Sequence, residues 1–379
     1  MSILGLPSNH YRLPAQSCTL TAVPGDILST SDAHVFISGT NCPYKSNEVH
    51  VIAYLEGTAE VKSLQILPFQ DEIRALSCLD SIERDSTTLC YTAIASRDAH
   101  TPKRESCRLY SASVNSQKDE NTDLQWICDI GSPTSYQPIR KILVDPHVEI
   151  GMDQKRLGII HTDGFSLYQL SEEARLVAKK LTSNSSPDSI CNSGCFDPHH
   201  INLFLTVESF SLSGWDLRMD SAVFHRPRAH PSAVLDVDYN PNMPNLVVTG
   251  GVEGSLRFWD IRQLEDPVQI LSNVHSHWIT CVRYNQCHDQ LILTGGTDNI
   301  VKLHRVEMSA NVSTPEESAG NEETQDTSSS LISTHDEHED SVYEVIWSKN
   351  DSWCFASLSH DGRIAINHVP SSEKYSILL

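Results

Sequence analysis

An all-β ring of repeated sheets is what this sequence predicts, and three observations carry the prediction. A stretch of the C-terminal half recurs: VHSHWITCVRYNQCHDQLILTGGTD (Val274–Asp298) resembles Ala229–Asp260 before it and Glu337–Asn367 after it. Each copy opens on a His, runs through a β-branched apolar strand and a turn, and reaches a carboxylate. Six residues beyond that carboxylate lies a marker position, occupied by Gln169, Trp215, Trp259, His304 and Asn367 at gaps of 46, 44, 45 and 63 residues. The first three gaps match the period of about 40–45 residues of a WD-type propeller blade. Two markers carry the Trp-Asp dipeptide, in GWDLR (Trp215, Asp216) and FWDIR (Trp259, Asp260). Long amphipathic helices are missing, and Ser171–Leu181 reads equally as a loop or an outer strand. The predicted fold is a seven-bladed WD40-type β-propeller.

The blades follow in order. Their expected bounds are approximately 26–67, 71–113, 123–170, 176–218, 223–262, 268–306 and 331–369, all within one domain spanning 1–379. The first three are degenerate and keep the strand rhythm, with Asp163 at the turn position of the third. After Ile364–Val369 the last blade runs out of chain. A ring must close or leave raw sheet edges, so the alternating segment 11–21 is expected to pair with the last blade as its outer strand. The 63-residue gap demands an insertion. Residues 307–340 hold ten acidic residues and no Lys or Arg, a composition that cannot offset its ordering entropy and predicts a disordered loop between two blades. Residues 370–379 form a tail expected to dock on the propeller.

Charge narrows the partners. With 28 Lys+Arg against 49 Asp+Glu the net charge is −21, which repels nucleic-acid backbones and anionic headgroups and suits basic protein surfaces. The eleven cysteines are scattered through apolar runs, as buried free thiols in a reducing compartment would be. The N-terminus lacks a signal peptide and no run spans a bilayer. The expectation is a soluble, intracellular monomer within a larger complex, without nucleic acid or membrane insertion. In that setting the sequons at Asn184 and Asn311 are chance matches.

The repeated polar residues suggest chemistry and then lose it. His230 pairs with Glu253, His275 with Asp298 and His338 with Asp361, while Thr249, Thr294 and Ser357 lie four before each carboxylate. A Ser/Thr–His–Asp set resembles a hydrolase triad, but a triad is needed once and this set recurs in each blade. The better reading is a buried hydrogen-bond chain ending on the WD Trp where present, as at Trp259. Gly250-Gly251 and Gly295-Gly296 are read as turn glycines. Cys191, Cys195, His199 and His200 lack zinc-site spacing, and no nucleotide, metalloprotease or nucleophile-elbow motif occurs. YSIL at Tyr375–Leu378 resembles a sorting signal of membrane cargo, which this chain is not. The expected protein has no catalytic residue, cofactor or metal. What remains is a surface. Residues three and five after the blade His, and the one before the turn carboxylate, should point onto the narrow face. They are Trp278, Thr280 and Thr297 in one blade and Ser341, Tyr343 and His360 in the next, with aromatic anchors typical of interfaces. The acidic insertion leaves the same two blades and offers a second, electrostatic contact.

The segments HSHWITCVRYNQCHDQLILTGGTD, EHEDSVYEVIWS, ASLSHDGRIAINHVP and KYSILL, with FDPHH and GWDLR, resemble the family of EARP- and GARP-complex-interacting WD-repeat proteins, from about Gly194 to Leu379. The resemblance implies a seven-bladed propeller with an acidic insertion before its last blade. It implies partnership with subunits of the EARP, and of the GARP, vesicle-tethering complex, and admits a small GTPase. The implied roles are endosomal recycling, retrograde transport to the trans-Golgi network and dense-core vesicle cargo sorting, at a cytoplasmic, peripheral location on those membranes. The competing reading is a ubiquitin-ligase substrate adaptor or a histone-binding propeller.

Overall fold

The computed structural model describes residues 9–25, 33–43, 45–84, 87–98, 105–114, 123–130, 138–147, 155–170, 177–181, 189–219, 221–308 and 329–379. They form seven four-stranded antiparallel sheets, each strand pairing with its neighbour in sequence except at the closure. The first sheet comprises Ser17–Ala22, Ala33–Thr40, Asn47–Leu55 and Glu60–Phe69. The sixth comprises Ile279–Tyr284, Leu291–Gly296, Val301–Val306 and Ser329–His335. The seventh is built from Val342–Trp347, Cys354–Ser359 and Arg363–His368, completed by His10–Arg12 from the other end of the chain.

The closing strand is shorter than the sequence suggests. His10, Tyr11 and Arg12 pair with Ala365, Ile364 and Arg363, and the chain then turns so that Ser17–Ala22 becomes the inner strand of the first sheet. The expected 11–21 strand is thus two strands serving two sheets. The repeat is also offset by one strand from the sheets: Gln125–Ile130 completes the second sheet, and Ser329–His335 completes the sixth. A repeat read from the outer strand inward straddles two sheets, because that strand pairs backward. The insertion is therefore cut short. Residues 329–335 pair with Val301–Val306, so the long connection lies within the sixth sheet rather than between blades. Its centre, 309–328, lies outside the described residues. Val177–Leu181 settles as an outer strand paired with Gly164–Gln169.

The core is seven sandwiches, one per seam. Val35, Ile37 and Val51 of the first sheet meet Ile73, Ile94 and Tyr110 of the second. Ile364 and Ile366 of the last meet Phe36 and Ile52 of the first, with Leu13 of the closing segment between them. Facing pleated sheets bury alternate side chains in this way. At the end of the ring where inner strands finish, side chains of the third, fourth, sixth and seventh sheets reach to the backbone of the next. His147 Nε2 donates to Asp197 O at 2.7 Å and His199 Nε2 to Asn240 O at 3.0 Å. Asn285 Nδ2 donates to Ser352 O at 2.5 Å, and Asn350 Nδ2 to Ala33 O at 3.2 Å across the closure. The tail is a short helix, Ser371–Leu378, docked by Ile377 and by Arg305 donating to Glu373 Oε1 at 2.8 Å and Ser376 Oγ at 3.0 Å. No described helix is long and apolar enough to cross a membrane, and all eleven cysteines are free thiols.

Candidate interaction surface

The recurring polar residues are buried links within their sheets. His230 Nδ1 donates to Glu253 Oε1 at 2.5 Å, its Nε2 accepts from Thr249 Oγ1 at 2.7 Å, and Trp259 Nε1 donates to the same hydroxyl at 2.9 Å. His275 repeats this with Asp298 at 2.8 Å and Thr294 at 2.8 Å. Burial lowers both histidine pKa values against the pull of their carboxylates. Burial would raise Glu253 and Asp298, yet hydrogen bonds from the histidines hold both low. Neutral imidazole and ionised carboxylate are the pairing that a fixed Nδ1–H tautomer requires.

Gly251 and Gly296 sit at the ends of strands and not in turns. A Cβ on either would lie 2.5 Å from the histidine Nδ1 and 2.5 Å from a carboxylate oxygen. Their role is to leave room for the direct His–carboxylate bond. In the last blade Ser359 stands at this position and the link changes. His338 Nδ1 donates to Ser359 Oγ at 3.0 Å, and Ser359 Oγ donates to Asp361 Oδ1 at 2.5 Å. Ser357 Oγ donates to His338 Nε2 at 2.7 Å. Asp361 thus orients His338 through a hydroxyl, a correction to the direct pairing read from sequence. In the fourth sheet Trp215 Nε1 donates to Thr206 Oγ1 at 2.9 Å, keeping the inner half of the chain. Cys191 and Cys195 lie buried in one strand, His199 and His200 are engaged with Asn240 and Asp197, and these four do not converge.

A second polar set lines the inner strands. Asp236 is fully buried and accepts from Lys141 Nζ at 2.7 Å, Ser193 Oγ at 2.6 Å and Arg283 Nη1 at 2.5 Å. Arg283 also donates to Glu344 at 2.6 Å. Burial would raise the Asp236 pKa, but the Arg283 and Lys141 charges hold it well below the carboxylate range. Five sheets are joined through these charges, with every member satisfied.

At the end where inner strands begin, Trp278 is 46 % exposed and Tyr343 42 %. Trp278 stacks on His277 with centroids 5.3 Å apart, and Tyr343 leans on His360 at 5.1 Å. The other four expected residues behave differently. Thr280 Oγ1 is spent on Val342 O at 2.6 Å and Gly295 O at 3.0 Å, tying the sixth sheet to the seventh. Thr297 is bonded to His277 and to Trp278 O, while Ser341 accepts from His360 N at 2.9 Å. They support the aromatic pair. Sequence reasoning missed two neighbours at the same end of the fourth sheet, Ile190 at 45 % and Phe210 at 49 % exposure. Cys191 pairs with Glu208 as Ile279 pairs with Gly296, so Ile190 occupies the register of Trp278. Counting back from the strand would have found it where the missing blade His could not. In the fifth sheet Ala233 stands at the Trp278 register, with Leu235 and Val252 in the places of Thr280 and Thr297, all half-buried. The result is an apolar arc across four sheets.

The described residues of the acidic segment 307–340 are split between the two ends, and Asp340 lies 3.6 Å from His360, beside Tyr343. Val306 pairs with Ser329, whereas Ile279 pairs with Gly296 at the opposite end of the same sheet. The described residues Met308 and Ser329 thus lie away from Trp278, while His335 pairs with Val301 and leads Asp336–Asp340 to the Trp278 end.

The family model described as EIPR1 beta-propeller matches residues 5–304, and one described as WD domain, G-beta repeat, matches residues 329–366. The chain is 42% identical over 389 residues to "EARP and GARP complex-interacting protein 1" of Rattus norvegicus and 31% identical over 390 residues to that of Homo sapiens. In both cases 97% of this chain and 98% of the relative are covered. Among solved structures, "COPII on membranes, outer coat vertex" matches with a TM-score of 0.67 at 17% identity, covering 93% of this chain and 84% of that one, a likeness of fold alone. A repeat with these tetrads, a closed seven-sheet ring and a match across most of its length place this chain in the EIPR1 β-propeller family.

Proposed function

We propose that this chain is a non-catalytic scaffold that binds the EARP vesicle-tethering complex, and GARP, through the apolar arc centred on Trp278 and Tyr343. The observation that carries the reading is the exposure of those two rings, 46 % and 42 %, on a face otherwise built to be rigid. Aromatic anchors on a pre-organised face lose little entropy on docking. The relatives' names supply the partner. A role in endosomal recycling, retrograde transport to the trans-Golgi network and dense-core vesicle cargo sorting follows from that partnership, with a peripheral location on those membranes. The neutral, fully paired histidines of the tetrads support the non-catalytic reading, since none is free to accept a substrate proton. The surplus of negative charge would speed encounter with a basic partner surface.

The test is affinity purification of the tagged chain with and without Trp278→Ala plus Tyr343→Ala. The double variant should fold normally and lose tethering subunits. Full retention of those subunits would move the interface elsewhere.

A further inference from the structure

At the seam between the last and first sheets, on the end away from Trp278, two groups of potential metal ligands meet at His34. His34 lies in Ala33–Thr40, Glu56 follows Asn47–Leu55, Cys354 opens Cys354–Ser359 and His368 ends Arg363–His368. Ligand atoms of His34, Cys354 and His368 lie within 4.8 Å of one another, as do those of His34, Glu56 and Asp351. His34 Nε2 is 3.0 Å and His368 Nε2 3.3 Å from the same Glu56 Oε1. Tetrahedral ligands bonded at about 2.0–2.1 Å stand about 3.3 Å apart, a spacing the two imidazole–Glu56 contacts already have, while Cys354 Sγ lies within 4.8 Å of both imidazoles.

The surroundings are those of a prepared site. Ser348 Oγ sits 2.9 Å from His34 Nδ1, the outer hydrogen bond that orients a ligating imidazole and fixes which nitrogen faces the metal. The Tyr54 ring lies against both imidazoles, 6.1 Å from His34 and 5.3 Å from His368. Cys354 is fully buried, and among the described residues its Sγ has no hydrogen-bond partner. A plain hydrogen-bonded latch accounts for the imidazoles and Glu56. It leaves unexplained why a thiol is aimed at them. Glu56 and Asp351 also set two carboxylates near His34 at this seam.

We propose that this seam binds one Zn²⁺, with His34, His368, Cys354 and Glu56 as ligands. Two imidazoles, a thiolate and a carboxylate suit a borderline-soft, tetrahedral ion. Binding replaces the Cys354 S–H bond with an S–Zn bond and releases that proton to solvent, with no redox change. The ion joins the first sheet to the last, where His10–Arg12 otherwise closes the ring with three residue pairs. Sequence spacing hides such a site because its ligands come from the two ends of the chain.

Chelator-stripped full-length protein titrated with Co²⁺ tests this. One Co²⁺ per chain, with tetrahedral d–d bands and a thiolate-to-cobalt charge-transfer band, is expected. Cys354→Ser should abolish the charge-transfer band, and His368→Gln should weaken binding at least tenfold. Ser348→Ala should weaken it about 10–100-fold as an outer-partner loss. Zn²⁺ should raise the melting temperature of the wild type more than that of His368→Gln. His368 and Glu56 are partly exposed, 36 % and 40 %, so His368→Gln and Glu56→Gln decide the matter if Cys354→Ser fails to fold. Absence of the charge-transfer band in the wild type, or equal Co²⁺ affinity in the wild type and both Gln variants, would overturn the site.

Discussion

Ser359 donates to Asp361 at 2.5 Å and stands between that carboxylate and His338, where the two preceding blades place a glycine. The hydroxyl occupies the volume a glycine leaves open. Ser359→Ala should therefore cost more than Ser359→Gly. Alanine keeps the space filled and strands a buried donor and acceptor, a loss of about 1–3 kcal/mol. Glycine costs about 0.5–1 kcal/mol in strand entropy but lets Asp361 reach His338 directly. Denaturant midpoints of the two variants check the order, and a costlier glycine would refute the bridging role.

His304, in the marker position that Trp259 holds one blade earlier, is buried with its Nε2 unpartnered among the described residues. Burial, helped by the neighbouring His275 and Lys302, lowers its pKa from 6.5 to about 4. The unfolded chain then binds the proton first, so this stability is full above pH 6.5 and lost as pH falls through 4. The slope is at most about 1.4 kcal/mol per pH unit. Melting temperature against pH should fall less steeply in His304→Gln than in the wild type.

Arg283 neutralises Asp236 and Glu344 from a side chain only 21 % exposed. Arg283→Met leaves buried carboxylates with Lys141 as the remaining cation at Asp236. A loss of about 3–5 kcal/mol is expected, the usual cost of breaking a buried pair from one side. Urea unfolding would show it. A loss below 1 kcal/mol would mean that the inner-strand charges are well hydrated.

The helix Ser371–Leu378 and the apolar arc lie at opposite ends of the sixth and seventh sheets, since Arg305 is bonded to Glu373 and Leu291 pairs with Arg305. Deleting 371–379 should lower the melting temperature by a few degrees while leaving tethering-complex capture unchanged. By contrast, Phe210→Ser, in the fourth sheet, should reduce capture with little change in melting temperature. Both are read from the same purification.

The sequence by itself determined the ring, its seven repeats and the identity of the buried links. Spacing is a local quantity, and a His just before an inner strand is brought to a Thr nineteen residues on by the hairpin between them. It also singled out Trp278 and Tyr343, whose register follows from the strand start. Only the tertiary structure decided which sheet each outer strand joins, because strands 10–12 and 329–335 are placed by pairing across the chain. It split the acidic segment between the two ends of the sixth sheet and added Ile190 and Phe210 to the aromatic arc. It gathered His34, Glu56, Cys354 and His368 at one seam. Those four lie up to 334 positions apart in the chain, and no periodicity links residues that meet only when the ring closes.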